Sequence, residues 1–424
     1  MNIVYANERD ELFDDPSLLA LGRTGKAVTE IQEMEWIPFP KGATMVSLPG
    51  TRALGLDREG KLKSLPPSAV AVGALLPQGY TRLLLPAYFK PPGATPFPLF
   101  GYTAVGFRDG RFYVAATQSD DPEPWNPEQY HADRVAQQVV HMEQSHSDNR
   151  LYQHLRTCAV EYECVTSRNT FFGRNEGAIP VSGSCNAGCL GCISEQPDES
   201  GFPSPQIRLS LRPSVEEMVD LMVTHLQTAG PNGIISFGQG CEGEPSVRGR
   251  EIAEAIRRTR EQVQTGAINI NTNAGLTSQI TQIVDAGLDL MRISTISALS
   301  DHYDAYYQPR GYTIEDVAAS AGYASEHGVI VALNYLVFPG VTDQPEEIEA
   351  MIQFIHQTGI KLVQLRNLNI DPDYYLERIP LREDEPIGML AMIDAIQQEC
   401  KGLRIGSYTH APEWYGSGAQ VMRL

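Results

Sequence analysis

Three cysteines, Cys185, Cys189 and Cys192, share one short loop, Cys185-Asn186-Ala187-Gly188-Cys189-Leu190-Gly191-Cys192, directly after the apolar run from Ala178 to Val181. Three thiolates on so compact a loop can hold three irons of a four-iron cluster and leave the fourth iron open to a ligand that is not protein. That open iron is where chemistry could occur. Two blander readings stand beside it. Structural zinc wants four closed ligands, usually two Cys or His pairs, and the nearest histidines, His154 and His225, belong to no such pair. A disulfide would use two of the three cysteines and strand the third, and seven cysteines in 424 residues is far from a disulfide framework.

About fifty residues on, the β-branched run Ile234-Ile235-Ser236-Phe237 empties into Gly238-Gln239-Gly240-Cys241-Glu242-Gly243-Glu244-Pro245. Such a run reads as a buried strand ending at a ligand-binding rim. Its glycines let backbone approach a ligand, and an acid there can take up an ammonium group.

Together these two motifs resemble the radical S-adenosylmethionine (radical SAM) superfamily, with its C-x3-C-x2-C loop after a first barrel strand and a Gly-Gly-Glu-Pro type turn after the second. The resemblance spans roughly Ala178 to Ser407. It implies a four-iron four-sulfur cluster held by Cys185, Cys189 and Cys192, with S-adenosyl-L-methionine chelating the open iron. One electron then splits a carbon-sulfur bond and yields a 5′-deoxyadenosyl radical, the electron coming from a flavodoxin or ferredoxin type donor. The same resemblance sets Gly243 and Glu244 against the methionine amine. It gives Ser294 and Asn334 to the ribose hydroxyls and methionine end, and Asn273 to the cofactor through an Asn-Thr-Asn-Ala-Gly turn. Two positions depart from the pattern. An aromatic residue often precedes the third cysteine, where this chain has Gly191, so adenine needs other support. The first glycine of the usual turn is Glu242, a second carboxylate that either joins the amine site or points to solvent.

The elements that must position these groups are legible as periodicity. Ser214 and Glu217 form a capping box, followed by Val215, Val219, Met222 and Leu226 at helical spacing up to Gly230. Strands over Ile234 to Phe237, Ala267 to Thr272, Leu290 to Thr295, Val329 to Val337 and Lys361 to Leu368 then alternate with helices. The helices are expected around Glu251 to Val263, Thr277 to Ala286, Thr313 to Gly328, Pro345 to Thr358 and Ile387 to Gln398, and Leu403 to Ser407 adds a last strand. Alternation of this kind predicts an α/β fold of parallel strands with right-handed crossovers, with active residues at the C-terminal strand ends. The resemblance narrows this to a partial (β/α)6 TIM-like barrel of the radical SAM type.

Four regions are expected: a β-rich N-terminal domain over 1–130 with no cofactor motif of its own, a helical linker over 131–175, the barrel over 176–410 and a tail over 411–424. In the first, short apolar runs alternate with turn signals, Asp109-Gly110 being a good hairpin turn. Helices are expected from Asp133 to Gln144 and Asn149 to Thr166. The domain could cap the barrel or recruit substrate.

For the substrate, two polar and aromatic patches stand out: Arg366, Asn367, Asn369, Asp371, Tyr374 and Tyr375, and Tyr303, Tyr306, Tyr307, Arg310 and Tyr312. Tyrosines at this density are equally ordinary packing. Cys158, Cys164 and Cys400 read as buried small side chains, whereas Cys241 sits in the cofactor turn. Thirty-three basic against fifty-two acidic residues give a net charge of −19, which repels nucleic acid. No run of eighteen apolar residues suggests a membrane span and no signal segment opens the chain, so with free cysteines the expected setting is a reducing cytoplasm. The substrate class stays open between peptide or protein and small metabolite. A competing reading is an iron-sulfur or zinc protein that senses or binds without radical chemistry; a closed metal site has no use for an amine pocket at Gly243 and Glu244.

Overall fold

A computed structural model describes residues 1–99 and 101–416. Seven parallel strands form one sheet in strict chain order: β1 (Glu176–Ile179), β2 (Ile234–Phe237), β3 (Ala267–Thr272), β4 (Leu290–Thr295), β5 (Ile330–Val337), β6 (Leu362–Asn367) and β7 (Arg404–Gly406). Sequential order with a helical crossover between neighbours is the right-handed winding of a barrel. Among the described residues β1 and β7 do not pair, so the sheet is a partial barrel of six strand-helix units closed off by a short seventh strand.

The crossovers follow the predicted signals. Helix α4 (Val215–Ala229) carries the capping box, Ser214 Oγ accepting from the Glu217 amide while Glu217 accepts from the Ser214 amide. Glu217 also receives Arg150, whose guanidinium holds the carboxyl down to about 2. Helices α5 (Gly249–Arg260), α6 (Thr277–Asp285), α8 (Ile314–Glu326), α9 (Pro345–Thr358) and α11 (Met389–Glu399) complete the outer layer. Two elements escaped the periodicity: α7 (Ser300–Tyr307) and α10 (Pro372–Leu376), short helices that carry five of the six tyrosines in the two polar and aromatic patches.

Three helices precede the barrel: α1 (Ala132–Ser145), α2 (Arg150–Val160) and α3 (Val165–Phe172). The single helix expected from Asn149 to Thr166 is thus broken. Glu163 adopts a left-handed φ of 51° and Cys164 starts the new helix, its amide donating to the Cys158 carbonyl at 2.9 Å.

Residues 2–118 build a thirteen-stranded, antiparallel sheet. The Asp109-Gly110 turn joins Val105–Arg108 to Arg111–Gln118 with φ of 51° and 76°, the left-handed pair that a two-residue hairpin needs. Leu12–Thr24, the longest strand, was illegible because it contains Pro16 and two aspartates. The irregularity is real: partner register jumps from Asp15 opposite Ile3 to Leu19 opposite Asn2, so the intervening residues bulge out.

The two sheets share a core. Leu83, Leu85 and Leu99 from the first sheet's region belong to the same buried cluster as the barrel strands. Polar ties reinforce the seam. Buried Asp371 accepts from Lys90 at 2.5 Å and from the Phe97 amide at 2.7 Å while capping α10. Arg82 donates to the Leu368 carbonyl at 2.9 Å, and burial lowers its pKa to about 9. Asn367 bridges the Arg82 amide and the Tyr80 carbonyl. No helix among the described residues is long and apolar enough to cross a membrane. The expected tail over 411–424 lies outside the described residues beyond 416.

Candidate active site

A cavity of about 460 Å³ opens at the C-terminal ends of the strands. Cys185, Cys189 and Cys192 all line it, as do Gly243, Glu244, Asn273, Ser294 and Asn334. Every residue expected to carry the chemistry is therefore on one wall or another of a single chamber.

The cysteine loop is held from two sides. From α7, the Tyr307 and Tyr306 carbonyls accept from the Gly188 and Leu190 amides at 2.8 and 2.9 Å. From β2, the Gly243 and Glu244 amides donate to the Ser182 and Ser184 carbonyls at 2.7 and 2.9 Å. A Cβ on Gly243 would lie 2.2 Å from the Ser184 oxygen, so only glycine allows the turn to press against the loop.

Glu242 takes neither of its expected positions. Its carboxylate is buried and accepts from four backbone amides: Val181 at 2.6 Å, Ser182 at 2.9 Å, Gly238 at 2.7 Å and Gln239 at 2.8 Å. Burial pushes its pKa up to about 7 against the pull of those amides. β1 ends at Ile179 because Pro180 has no amide to donate and the two amides after it, of Val181 and Ser182, serve Glu242 instead of a neighbouring strand.

Glu244 is buried as well. It accepts from the Ser246 amide at 2.9 Å, the Asn273 amide at 2.8 Å and the Thr272 hydroxyl, while burial raises its pKa. Asn273 donates to Asn186 Oδ1 in the cysteine loop at 2.7 Å, and its own Oδ1 accepts from the Gly275 amide. Ser294 and Asn334 stand opposite each other on β4 and β5 and share a hydrogen bond of 3.2 Å.

One contributor, Arg208, was not legible. Arg208 donates to Cys192 Sγ at 3.3 Å and to Ser194 Oγ at 3.1 Å, and pairs with Glu195. Tyr306 covers Gly191 so closely that a Cβ there would sit 2.7 Å from its hydroxyl. Arg292 and Arg366 reach the cavity beside Glu176, and burial lowers both guanidinium pKa values, that of Arg366 to about 10. Of the two proposed substrate patches, Arg366, Tyr306 and Tyr307 line the chamber. Asn367 and Asp371 instead serve the seam, and Tyr375 is buried, its hydroxyl 2.7 Å from His302 Nε2.

Cys400 is ordinary core and Cys158 is buried, as expected of both, whereas Cys164 is only half-buried. Cys158, Cys164 and Cys241 also line the cavity. Cys158 and Cys241 lie close together beside His154, and the pairing pulls the Cys158 thiol below the usual range while it pushes Cys241 well above it.

Residues 179–355, which span this site from β1 to α9, match a family described as the Radical SAM superfamily. The chain carries a radical SAM domain. It is an enzyme's domain, one that works with a four-iron four-sulfur cluster and S-adenosylmethionine. Over 181 residues the chain is 26% identical to a probable dual-specificity RNA methyltransferase RlmN of Chlorobium luteolum, covering 40% of this chain and 49% of that one. The chain thus spans about half the length of that relative. Solved structures with similarity include methylornithine synthase PylB, with 14% identity and a TM-score of 0.38 over 66% of this chain and 76% of that one. Another is Streptococcus suis SuiB bound to S-adenosylmethionine, with 14% identity and a TM-score of 0.37 over 59% of this chain and 55% of that one.

The donor set fits the radical SAM cofactors. Three soft sulfur ligands on one loop suit iron. Burial raises the Cys185 thiol and raises Cys189 strongly, the Cys192 sulfur adding to both, so these two thiols favour ionising against a bound cation. Asn186 Nδ2 is buried beside the loop without a partner, a donor awaiting an acceptor.

Proposed function

We propose that Cys185, Cys189 and Cys192 ligate the cluster of a radical SAM enzyme acting on a small anionic molecule or an anionic end of a peptide. The observation carrying this is the convergence of the three thiols, the Glu244 turn and the Ser294–Asn334 pair on one buried chamber. Held by Cys185, Cys189 and Cys192, the cluster would supply the one-electron reduction that splits a carbon-sulfur bond of S-adenosylmethionine into methionine and a radical able to take hydrogen from substrate.

The chain's own residues do the rest. Glu244 is fixed by three donors, leaving acceptor capacity for the methionine ammonium, whose charge would offset the desolvation of the carboxylate. Ser294, Asn334 and Asn273 offer hydroxyl and amide groups to the ribose and methionine ends. Tyr306 supplies from α7 the aromatic surface that Gly191 lacks in the loop. Arg292 and Arg366 reach the chamber beside Glu176, two guanidiniums to one carboxylate at that place, which locally favours an anionic group, while the other lining carboxylates, Glu242 and Glu244, are taken up by the backbone and hydroxyl donors already described. RNA is disfavoured by the net charge of −19. The first 130 residues act as a β-rich domain closing the cavity, with Gln78 and Trp125 on its wall. A flavodoxin or ferredoxin type protein supplies the electron, in a reducing cytoplasm.

The test is anaerobic reconstitution with iron and sulfide, followed by EPR with and without S-adenosylmethionine and an assay of 5′-deoxyadenosine after reduction. A cofactor-dependent change in the reduced signal is expected, together with 5′-deoxyadenosine release that vanishes in a Cys185→Ala, Cys189→Ala, Cys192→Ala variant. Equal release from wild type and variant would reject the assignment.

A further inference from the structure

Outside the cysteine loop, one other group of ligating side chains is gathered among the described residues: His154, Cys158 and Cys241, whose ligand atoms all lie within 4.8 Å of one another. Two of them come from a single helix. His154 and Cys158 are four residues apart on α2, hence on one face, one turn above the other. Cys241 arrives from the turn after β2 and is held rigidly, since its carbonyl accepts from the Leu209 amide at 2.8 Å and the adjacent Glu242 is pinned by four amides. His154 Nε2 is buried and makes no hydrogen bond. A buried imidazole nitrogen without a partner costs free energy unless something occupies it.

We propose that His154, Cys158 and Cys241 form a second metal site, for a single divalent ion of the zinc type, set in the wall of the reaction chamber. The geometry favours one ion over a cluster. Bonds of about 2.3 Å to sulfur and about 2.0 Å to nitrogen give tetrahedral edges of about 3.5–3.8 Å, within small side-chain adjustments of the observed grouping. Two thiolates neutralise a divalent charge, so the complex can lie buried without a counter-ion. Three protein ligands leave a fourth position, the pattern of a zinc site that binds water or substrate. Cys158 and Cys241 line the cavity, so that position is open to a chamber ligand. Cys164 lines the cavity too but stands outside the group.

The site stands independently of the cluster assignment, and the test separates the two. The full chain, with its cluster reconstituted anaerobically, is exposed to Zn²⁺ alone, desalted and analysed for metal. About one zinc per chain is expected, retained in the Cys185→Ala, Cys189→Ala, Cys192→Ala variant and reduced at least tenfold in Cys158→Ala, Cys241→Ala. In wild type, Co²⁺ should give thiolate charge-transfer and tetrahedral d–d bands, a readout that needs no variant to fold. The proposal is overturned by absence of zinc uptake, by uptake that follows the loop cysteines instead, or by cobalt spectra without thiolate bands. Twice the expected iron with matching sulfide, or a Cys158–Cys241 disulfide in oxygen-free protein, would overturn it equally.

Discussion

Arg208 shows how a residue without a motif can tune the site. Its guanidinium donates to Cys192 Sγ at 3.3 Å, and hydrogen bonds and net charge at ligand sulfurs are among the levers that set cluster potentials. Replacing it with Gln removes a positive charge beside the thiolate. An EPR-monitored redox titration should find the potential lowered, on the order of tens of millivolts; an unchanged value would mean that Arg208 acts only through Glu195. Glu242 makes a different kind of prediction. In Glu242→Gln the amide nitrogen would face backbone donors that now meet a carboxylate oxygen, leaving buried N–H groups unpaired. A loss of about 2–4 kcal/mol in unfolding free energy is expected by denaturant titration. At this scale the three cysteines and Glu244 could be read from spacing. Arg208 could not, because nothing in its local sequence marks a side chain that folds back sixteen residues. The His154 and Cys158 spacing was visible, but its meaning depended on Cys241 arriving from another element.

Among elements, the glycine turn after β2 and the cysteine loop behave as one unit. Gly243→Ala would force a Cβ against the Ser184 carbonyl and part the two. Iron incorporation on reconstitution should fall severalfold while circular dichroism stays close to wild type. Helix α4 carries a pH dependence of its own. His225 is buried against Gly177, and desolvation lowers its pKa to about 4. The unfolded chain binds that proton near 6.5, so between about 6.5 and 4 it binds more protons than the folded chain, and this contribution to stability is lost as pH falls. The loss is about 3 kcal/mol. Glu242, raised to about 7, contributes in the opposite sense, so the measurement is a difference: unfolding midpoints of wild type and His225→Phe at pH 7 and 4.5 should converge as pH drops. The barrel's alternation was legible because buried parallel strands read as apolar runs between capped helices. α7 and α10 were not, since helices of eight and five residues are too short to show a period. The Leu12–Thr24 strand hid behind a proline that its bulge accommodates.

Over the whole molecule, the two sheets meet through shared core and through groups that are costly to leave unpaired. Asp371 is the best lever. Asp371→Ala would leave the partly buried Lys90 ammonium without its carboxylate and uncap α10, with an expected loss of about 3 kcal/mol. Wild type should unfold in one transition by both tyrosine fluorescence and far-ultraviolet dichroism, because the core runs across the seam. Two separated transitions would show that the sheets fold independently. None of these ties was readable beforehand, since each joins residues some 280 positions apart.

The chamber's wall includes Gln78 and Trp125, which the barrel does not supply. Under the proposed function, a carbon-centred radical generated there would be confined partly by a clasp between two sheets, and the tightness of that clasp would govern how often it meets solvent before its target. The ratio of 5′-deoxyadenosine released to product formed is therefore a gauge of grip, and wasted turnovers should multiply when Asp371 lets go.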